Sequence, residues 1–253
     1  MVTRIIFSIA LLCCFPGWSV AGPVHGAHGI LYGEYQLHAA TDPAAAEAGA
    51  PVRLALTLTD PNGAEVTELE PGAATEVAIV RQGLDVFTLL NPAMGDGGVF
   101  TLDLSFPVPG TYFIYTGFTP LSGSPLTAMT ELRIEGEAPA PLPLEVHVPG
   151  RVVSDTLGAD IALDKTQTGH RISLGLIEPD GSPMTDLDTA SGDLVILSAD
   201  GTEYFHAIPA PADNATAAAF ETTFPRPGTY KAWALFHKAG NTLELPFALD
   251  IQD

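Results

Sequence analysis

The sequence repeats itself at a fixed separation of 118 residues, and this duplication limits the folds that the chain can adopt. Residues 54–58 align with residues 172–176, and the motif FPVPGTY at residues 106–112 returns as FPRPGTY at residues 224–230. The same separation joins several single residues, namely Gly83 with Gly201, Phe87 with Phe205 and Phe118 with Phe236. The alignment needs no gap, so we expect two copies of one folding unit.

Each copy has the pattern of an all-β domain. Apolar residues alternate through residues 54–58 and 172–176, and a period of two is typical of half-buried strands. The turn sequences DPNG at residues 60–63 and EPDG at residues 178–181 follow these strands. The 22 prolines argue against long helices. The repeated Pro-Gly-Thr-Tyr resembles the corner of immunoglobulin-like sandwiches in which a tyrosine hydroxyl bonds to upstream backbone.

We therefore predict two tandem immunoglobulin-like β-sandwich domains after a signal peptide. Residues 1–21 contain Arg4, an apolar run and the small-residue site Ser19-Val20-Ala21, a pattern typical of a secretory leader cut after Ala21. The domains are expected at residues 22–135 and 144–253, with a proline-rich linker at residues 136–143.

The leader sets the expected compartment of the protein. Its apolar run is too short to span a bilayer, so we expect no membrane span and a periplasmic or secreted protein. Both cysteines, Cys13 and Cys14, lie in the leader, so the mature chain is expected to hold no disulfide.

Charge narrows the range of partners. The chain has 30 acidic and 10 basic residues and a net charge of -20. Phosphate backbones and anionic membranes repel such a surface, so nucleic acid is not expected as a partner. A protein or a metal ion of unknown identity is expected instead.

The second copy, from about Leu174 to Ile251, resembles the YtkA-like group of exported bacterial immunoglobulin-like domains. The resemblance rests on residues 193–197, 204–209 and 224–233. It implies the sandwich fold. Some similar domains occur in copper or heavy-metal handling, often with a His-x-His-Pro motif, and this chain keeps His206 but has Ile208 at the second histidine.

Two histidines distinguish the second copy from the first. His206 and His237 correspond to Thr88 and Thr119 at the separation of 118 residues. If both histidines lie in one sheet, they could bind copper or zinc, with Asp200 or Glu203 as a further ligand. The alternative is two unrelated surface histidines.

Further ligand candidates lie elsewhere in the chain. His25 and His28 follow the predicted cleavage site and could capture a cation weakly; the alternative is a solvated terminal segment. Asp186, Asp188 and Asp193 could bind calcium, although their spacing differs from the twelve-residue calcium loop. The alternative for these carboxylates is a solvated acidic loop.

No motif for catalysis occurs in the sequence. The zinc-protease, nucleophile-elbow and phosphate-loop patterns are all absent. We therefore expect no enzyme but an exported binding or accessory protein of the bacterial envelope. The alternative is a periplasmic copper or heavy-metal handling protein that uses the histidines of the second domain.

Overall fold

The computed structural model describes residues 27–29, 35–185, 187, 189, 192–207, 209–212 and 216–252. The predicted leader and His25 lie outside these residues. Within them, the chain forms strands, turns and short 3-10 segments such as Asp96–Gly98. No helix in this described part is long and apolar enough to cross a membrane.

The first domain is a sandwich of two antiparallel sheets. Its strands are β2 (Gln36–Asp42), β3 (Pro51–Thr59), β4 (Glu76–Arg81), β5 (Phe87–Leu90), β6 (Phe100–Ser105), β7 (Gly110–Phe118) and β8 (Leu126–Ile134), preceded by the short β1 (Ala27–Gly29). One sheet has the order β2-β3-β6 and the other β5-β4-β7-β8. The inward residues of both sheets form one core, to which Leu54, Leu56 and Leu58 belong.

The second domain repeats this plan. Its strands are β9 (Gly150–Val153), β10 (Gly158–Lys165), β11 (His170–Ile177), β12 (Asp193–Ser198), β13 (Tyr204–Ala207), β14 (Ala217–Thr222), β15 (Gly228–Lys238) and β16 (Asn241–Ile251). The sheets are β14-β11-β10-β9 and β1-β13-β12-β15-β16, so β1 covers the outer edge of β13. A second core fills the space between them. The prediction of an all-β, immunoglobulin-like fold is confirmed.

The two tyrosine corners are present as predicted. Tyr112 donates a hydrogen bond to the Val108 carbonyl at 2.7 Å. The Tyr230 hydroxyl is 3.0 Å from the Arg226 carbonyl, and it shares its proton with the Glu203 carboxylate at 2.6 Å. Both contacts with a carbonyl span four residues, which is the geometry that the repeated Pro-Gly-Thr-Tyr motif indicates.

A third core joins the two domains. The sheet containing β4 and β7 packs face to face on the sheet containing β12 and β15. This interdomain core contains Ala78, Val80, Leu84, Phe113, Tyr115, Val195, Leu197, Tyr204, Trp233 and Leu235, all less than a tenth exposed. The chain is therefore a stack of four sheets with three apolar layers, whereas the sequence predicted only the two layers inside the sandwiches.

The proline-rich segment is held against the first domain. The buried Arg81 guanidinium donates to the carbonyls of Pro139 at 2.8 Å and Pro109 at 3.1 Å, and it pairs with the Asp85 carboxylate at 2.8 Å. Leu144, directly after the segment, packs against the interdomain core. The predicted linker is thus anchored at Pro139, in its middle, and at the residue that follows it.

Strand pairing corrects the gapless alignment of the two copies. The separation of 118 residues holds for β3 with β11 and for β7 with β15, but β4 with β12 and β5 with β13 are related by 117. Leu84, not Gly83, is thus the counterpart of Gly201, and both adopt positive φ, 56° and 72°. The loop before β12, residues 178–192, is one residue shorter than residues 60–75 before β4. The stretch between the paired residues Ala207 and Ala218 is one residue longer than the stretch between Leu90 and Phe100, so the overall separation returns to 118.

Candidate functional site at the domain interface

His206 lies between two carboxylates that come from different domains. Its Nδ1 is 2.6 Å from a Glu76 oxygen of β4, and its Nε2 is 3.0 Å from an Asp193 oxygen of β12. Tyr204 donates a hydrogen bond to the other Glu76 oxygen at 3.0 Å. The His206 side chain is 14% exposed, so these charges interact in a largely water-free environment.

Burial by itself lowers the pKa of His206, but hydrogen bonds and charge from Asp193 and Glu76 outweigh burial and raise this pKa to about 9. The imidazole is therefore protonated at neutral pH, and both ring nitrogens donate. Burial, followed by the charge of Glu76, raises the pKa of Tyr204 well above its ordinary value, so Tyr204 stays a neutral donor.

The interface has approximate two-fold symmetry. Phe87 stacks on Trp233 with ring centroids 4.5 Å apart, and Tyr115 stacks on Tyr204 at 4.6 Å. Phe87 and Tyr204 are counterparts in the corrected alignment, as are Tyr115 and Trp233. The two stacks are therefore the same contact made twice. Glu76 and Asp193 are counterparts as well, and His206 lies between them.

This symmetry places corresponding ends of the two domains on the same side. Glu76 and Asp193, at the starts of β4 and β12, both reach His206. At the other end, the Phe113 ring contacts Gly201 so closely that a Cβ on Gly201 would lie 2.4 Å from it. The two strands thus run in the same direction. The loops before β4, after β7 and after β15 therefore lie at the same end as the described part of the loop before β12, and together they form one shared loop end.

Of the four predicted metal-ligand histidines, His25 lies outside the described residues, and the structure places the other three in different surroundings. Across β12, His206 lies opposite Trp233 of β15, two strand spacings away. His237 is four residues further along β15, so the Cα atoms of His206 and His237 are about 16 Å apart. His237 Nδ1 is 3.3 Å from the Thr242 hydroxyl. The backbone of His28 lies directly opposite His206 in the pairing of β1 with β13. The structure therefore brings His28, and not His237, beside His206.

The predicted carboxylate ligands have other contacts. Asp200 and Glu203 bind Arg226 at 2.7 and 2.8 Å, and Asp193 binds His206. Asp186 and Asp188 lie outside the described residues. Across the described ranges, no three His, Cys, Asp or Glu side chains are grouped closely enough to hold a metal ion.

Sequence reasoning did not assign Glu76, Tyr115 or Phe87 to an interface, although all three belong to it. A signal for this interface was present: residues 77–80 and 194–197 are continuous apolar runs without alternation. A strand apolar on both sides is typical of a sheet that is covered on both faces. These runs indicate that each central strand has a second apolar neighbour outside its own sandwich.

Comparison with known proteins adds a family match for one domain. Residues 153–253 match a family model described as a domain of unknown function, DUF8832. No curated protein matches the sequence. The resemblance to the YtkA-like group stays a prediction.

Several solved structures are similar to the chain at low identity. They include the tetra-tandem repeat in the extending region of a large adhesion protein (11% identity, TM-score 0.30, 89% of this chain and 50% of that chain), a 1.5-MDa bacterial ice-binding adhesin (8%, 0.28, 89% and 64%) and dimeric latent PorU from Porphyromonas gingivalis (12%, 0.26, 87% and 24%). The chain spans less than two thirds of the length of each. The fold assignment rests on the strands and sheets described above.

Proposed function

We propose that the protein is an exported, non-enzymatic binding or accessory protein of the bacterial envelope, and that it recognises its partner with the shared loop end. The observation that carries this proposal is the interdomain core, which fixes the two sandwiches as one unit. Loops at the ends of immunoglobulin-like sandwiches are common recognition sites because a rigid scaffold positions them. The predicted leader supports export.

The interdomain core also restricts where a partner can bind. The faces of β4, β7, β12 and β15 that point away from their own sandwiches are buried between the domains. A partner must therefore use the outer sheets, the free strand edges or the loop ends. Both ends of the stack combine contributions from the two domains, and the shared loop end carries the longer connections, residues 60–75 and 178–192.

Photocrosslinking in the bacterium tests this proposal. The full chain, with its leader, would carry p-benzoylphenylalanine at Ser122 or Asn241 of the loop end, both exposed. The matched control positions are Gln82 and Thr168, which are exposed at the opposite end. We expect one discrete crosslinked product from the loop-end positions only. Crosslinks from the control positions alone, or none from the loop end, would contradict the proposal.

A further inference from the structure

An open groove of about 610 Å³ lies in the first-domain part of the loop end. Its walls come from three loops, at residues 60–75, 91–99 and 119–125. Apolar lining residues are Leu69, Pro71, Pro92, Met94 and Leu121. Leu121 is 51% exposed, although burial of a leucine side chain is favourable. The groove thus offers an apolar contact that the described residues leave uncovered.

Hydrogen bonds between the loops give the groove a fixed shape. Glu70 accepts a hydrogen bond from the Ser122 N–H at 2.9 Å, and its own N–H donates to the Thr119 carbonyl at 2.9 Å. Gly98 lies against the next loop, where a Cβ would be 2.2 Å from the Val66 carbonyl oxygen. A preformed groove binds with a smaller loss of conformational entropy than a loop that must become ordered.

The charge around the groove has one sign. Its three loops contain only acidic ionisable residues, namely Asp60, Glu65, Glu68, Glu70 and Asp96, and neither lysine nor arginine. Glu68 lines the groove itself. The whole chain has a net charge of -20, so the field at the groove attracts cations and repels anionic lipids and nucleic acids.

We propose that this groove binds a basic segment of a partner protein, with an apolar side chain against Leu69 and Leu121 and flanking lysines or arginines beside Glu68 and Asp96. The proposal rests on the proposed function and specifies the partner's chemistry. A purely apolar segment would place no positive charge beside the surrounding carboxylates. A small polycation would leave the apolar wall uncovered.

Fluorescence anisotropy with a defined probe tests the proposal. The probe is a labelled peptide, Gly-Lys-Leu-Lys-Gly-Lys-Leu-Lys-Gly, and its controls replace all lysines by glutamate or both leucines by serine. We expect the purified protein to bind the first probe, to bind it less tightly as salt increases, and to bind both control peptides at least fivefold more weakly.

Variants of the protein locate the binding. Leu121→Ser should weaken binding of the first probe about fivefold, and Glu68→Gln should weaken it about threefold and reduce its salt dependence. The matched controls Leu142→Ser and Glu145→Gln change exposed residues outside the groove and should bind as the wild type does. Unchanged emission from Trp233, in the interdomain core, would verify that each variant is folded.

Three outcomes would overturn the inference: wild-type binding by Leu121→Ser, equal binding of the serine-substituted peptide, or equal binding of spermine and the probe in every variant. The last outcome would define a site for small polycations instead. Crosslinking from Ser122 in the bacterium is a separate result. If it succeeds while the basic probe fails to bind, the proposed function stands and the basic partner is excluded.

Discussion

At the scale of single residues, His206 links the domains through a charge that depends on pH. Contacts with Asp193 and Glu76 raise its pKa from an ordinary value of 6.5 to about 9 in the folded protein. A group whose pKa is higher in the folded state stabilises that state fully below its unfolded pKa. The stabilisation is therefore complete below about pH 6.5, decreases between pH 6.5 and 9, and is lost above pH 9.

We predict that the free energy of unfolding falls by an amount on the order of 3 kcal/mol between pH 6 and pH 9.5. Urea unfolding at several pH values measures it, and His206→Gln is the control because it retains every other titrating group. The variant should be less stable than the wild type at pH 6. Its free energy of unfolding should also lack the decrease with rising pH that His206 contributes. An identical pH profile in the variant would show that the histidine charge contributes nothing.

Gly201 provides a second prediction at this scale. Its φ of 72° and its contact with Phe113 leave no room for a side chain, and Tyr115 donates to its carbonyl at 2.6 Å. Gly201→Ala should therefore reduce the free energy of unfolding by about 2–4 kcal/mol. Gly240→Ala, at a positive φ of 81° with open space around it, is the matched control for backbone strain alone. If both variants lose the same stability, the contact with Phe113 is not responsible.

At the scale of strands and sheets, the sequence predicted the sandwiches but not their association. Residues 54–58 and 172–176 alternate because one face of each strand meets its own core, so local pattern suffices to recognise them. Tyr112 and Tyr230 lie in a motif whose geometry is local as well. The pairing of Phe87 with Trp233 joins residues far apart in the sequence, and local periodicity contains no information on which distant faces meet.

Local sequence pattern also did not show on which face of its sheet His206 lies. The gapless alignment equated His206 with Thr88, whereas strand pairing makes Leu89 its counterpart. A one-residue change in strand register exchanges the two faces of a sheet. His206 therefore lies on the interdomain face of its sheet, where it contacts the Glu76 carboxylate of the other domain.

Strand register also makes the metal prediction specific. His28 lies opposite His206 in the sheet and His237 is about 16 Å away. If copper or zinc binds through histidine pairs, uptake should be lost in the double variant His28→Ala and His206→Ala and should persist in His237→Ala. Native mass spectrometry at micromolar metal measures this. Loss of uptake in His237→Ala would contradict the register argument, and no uptake by the wild type would contradict the metal prediction.

At the scale of the whole molecule, the interdomain core should hold the halves together without a covalent connection. A protease site inserted between Pro141 and Leu142 would cut an exposed part of the linker. After cleavage we expect the halves to co-elute in gel filtration with unchanged Trp233 emission, because the ten buried residues of the core remain paired.

The control for this experiment carries the same cut together with Phe87→Ser and Tyr115→Ser. These changes remove one ring from each stack and leave Trp233 in place, so the halves should separate and the emission should shift to the red. Separation of the cleaved wild type would show that the linker, and not the core, maintains the arrangement.

The paired aromatic stacks have a consequence for the origin of the chain. Two equivalent faces that meet about a two-fold relation are the arrangement that a self-associating ancestor would have passed on when its gene was duplicated and fused. Fusion freed the two halves from having to stay identical. A histidine could then arise in one half at the position where the other half has a leucine, an asymmetry that no homodimer encoded by a single gene can have.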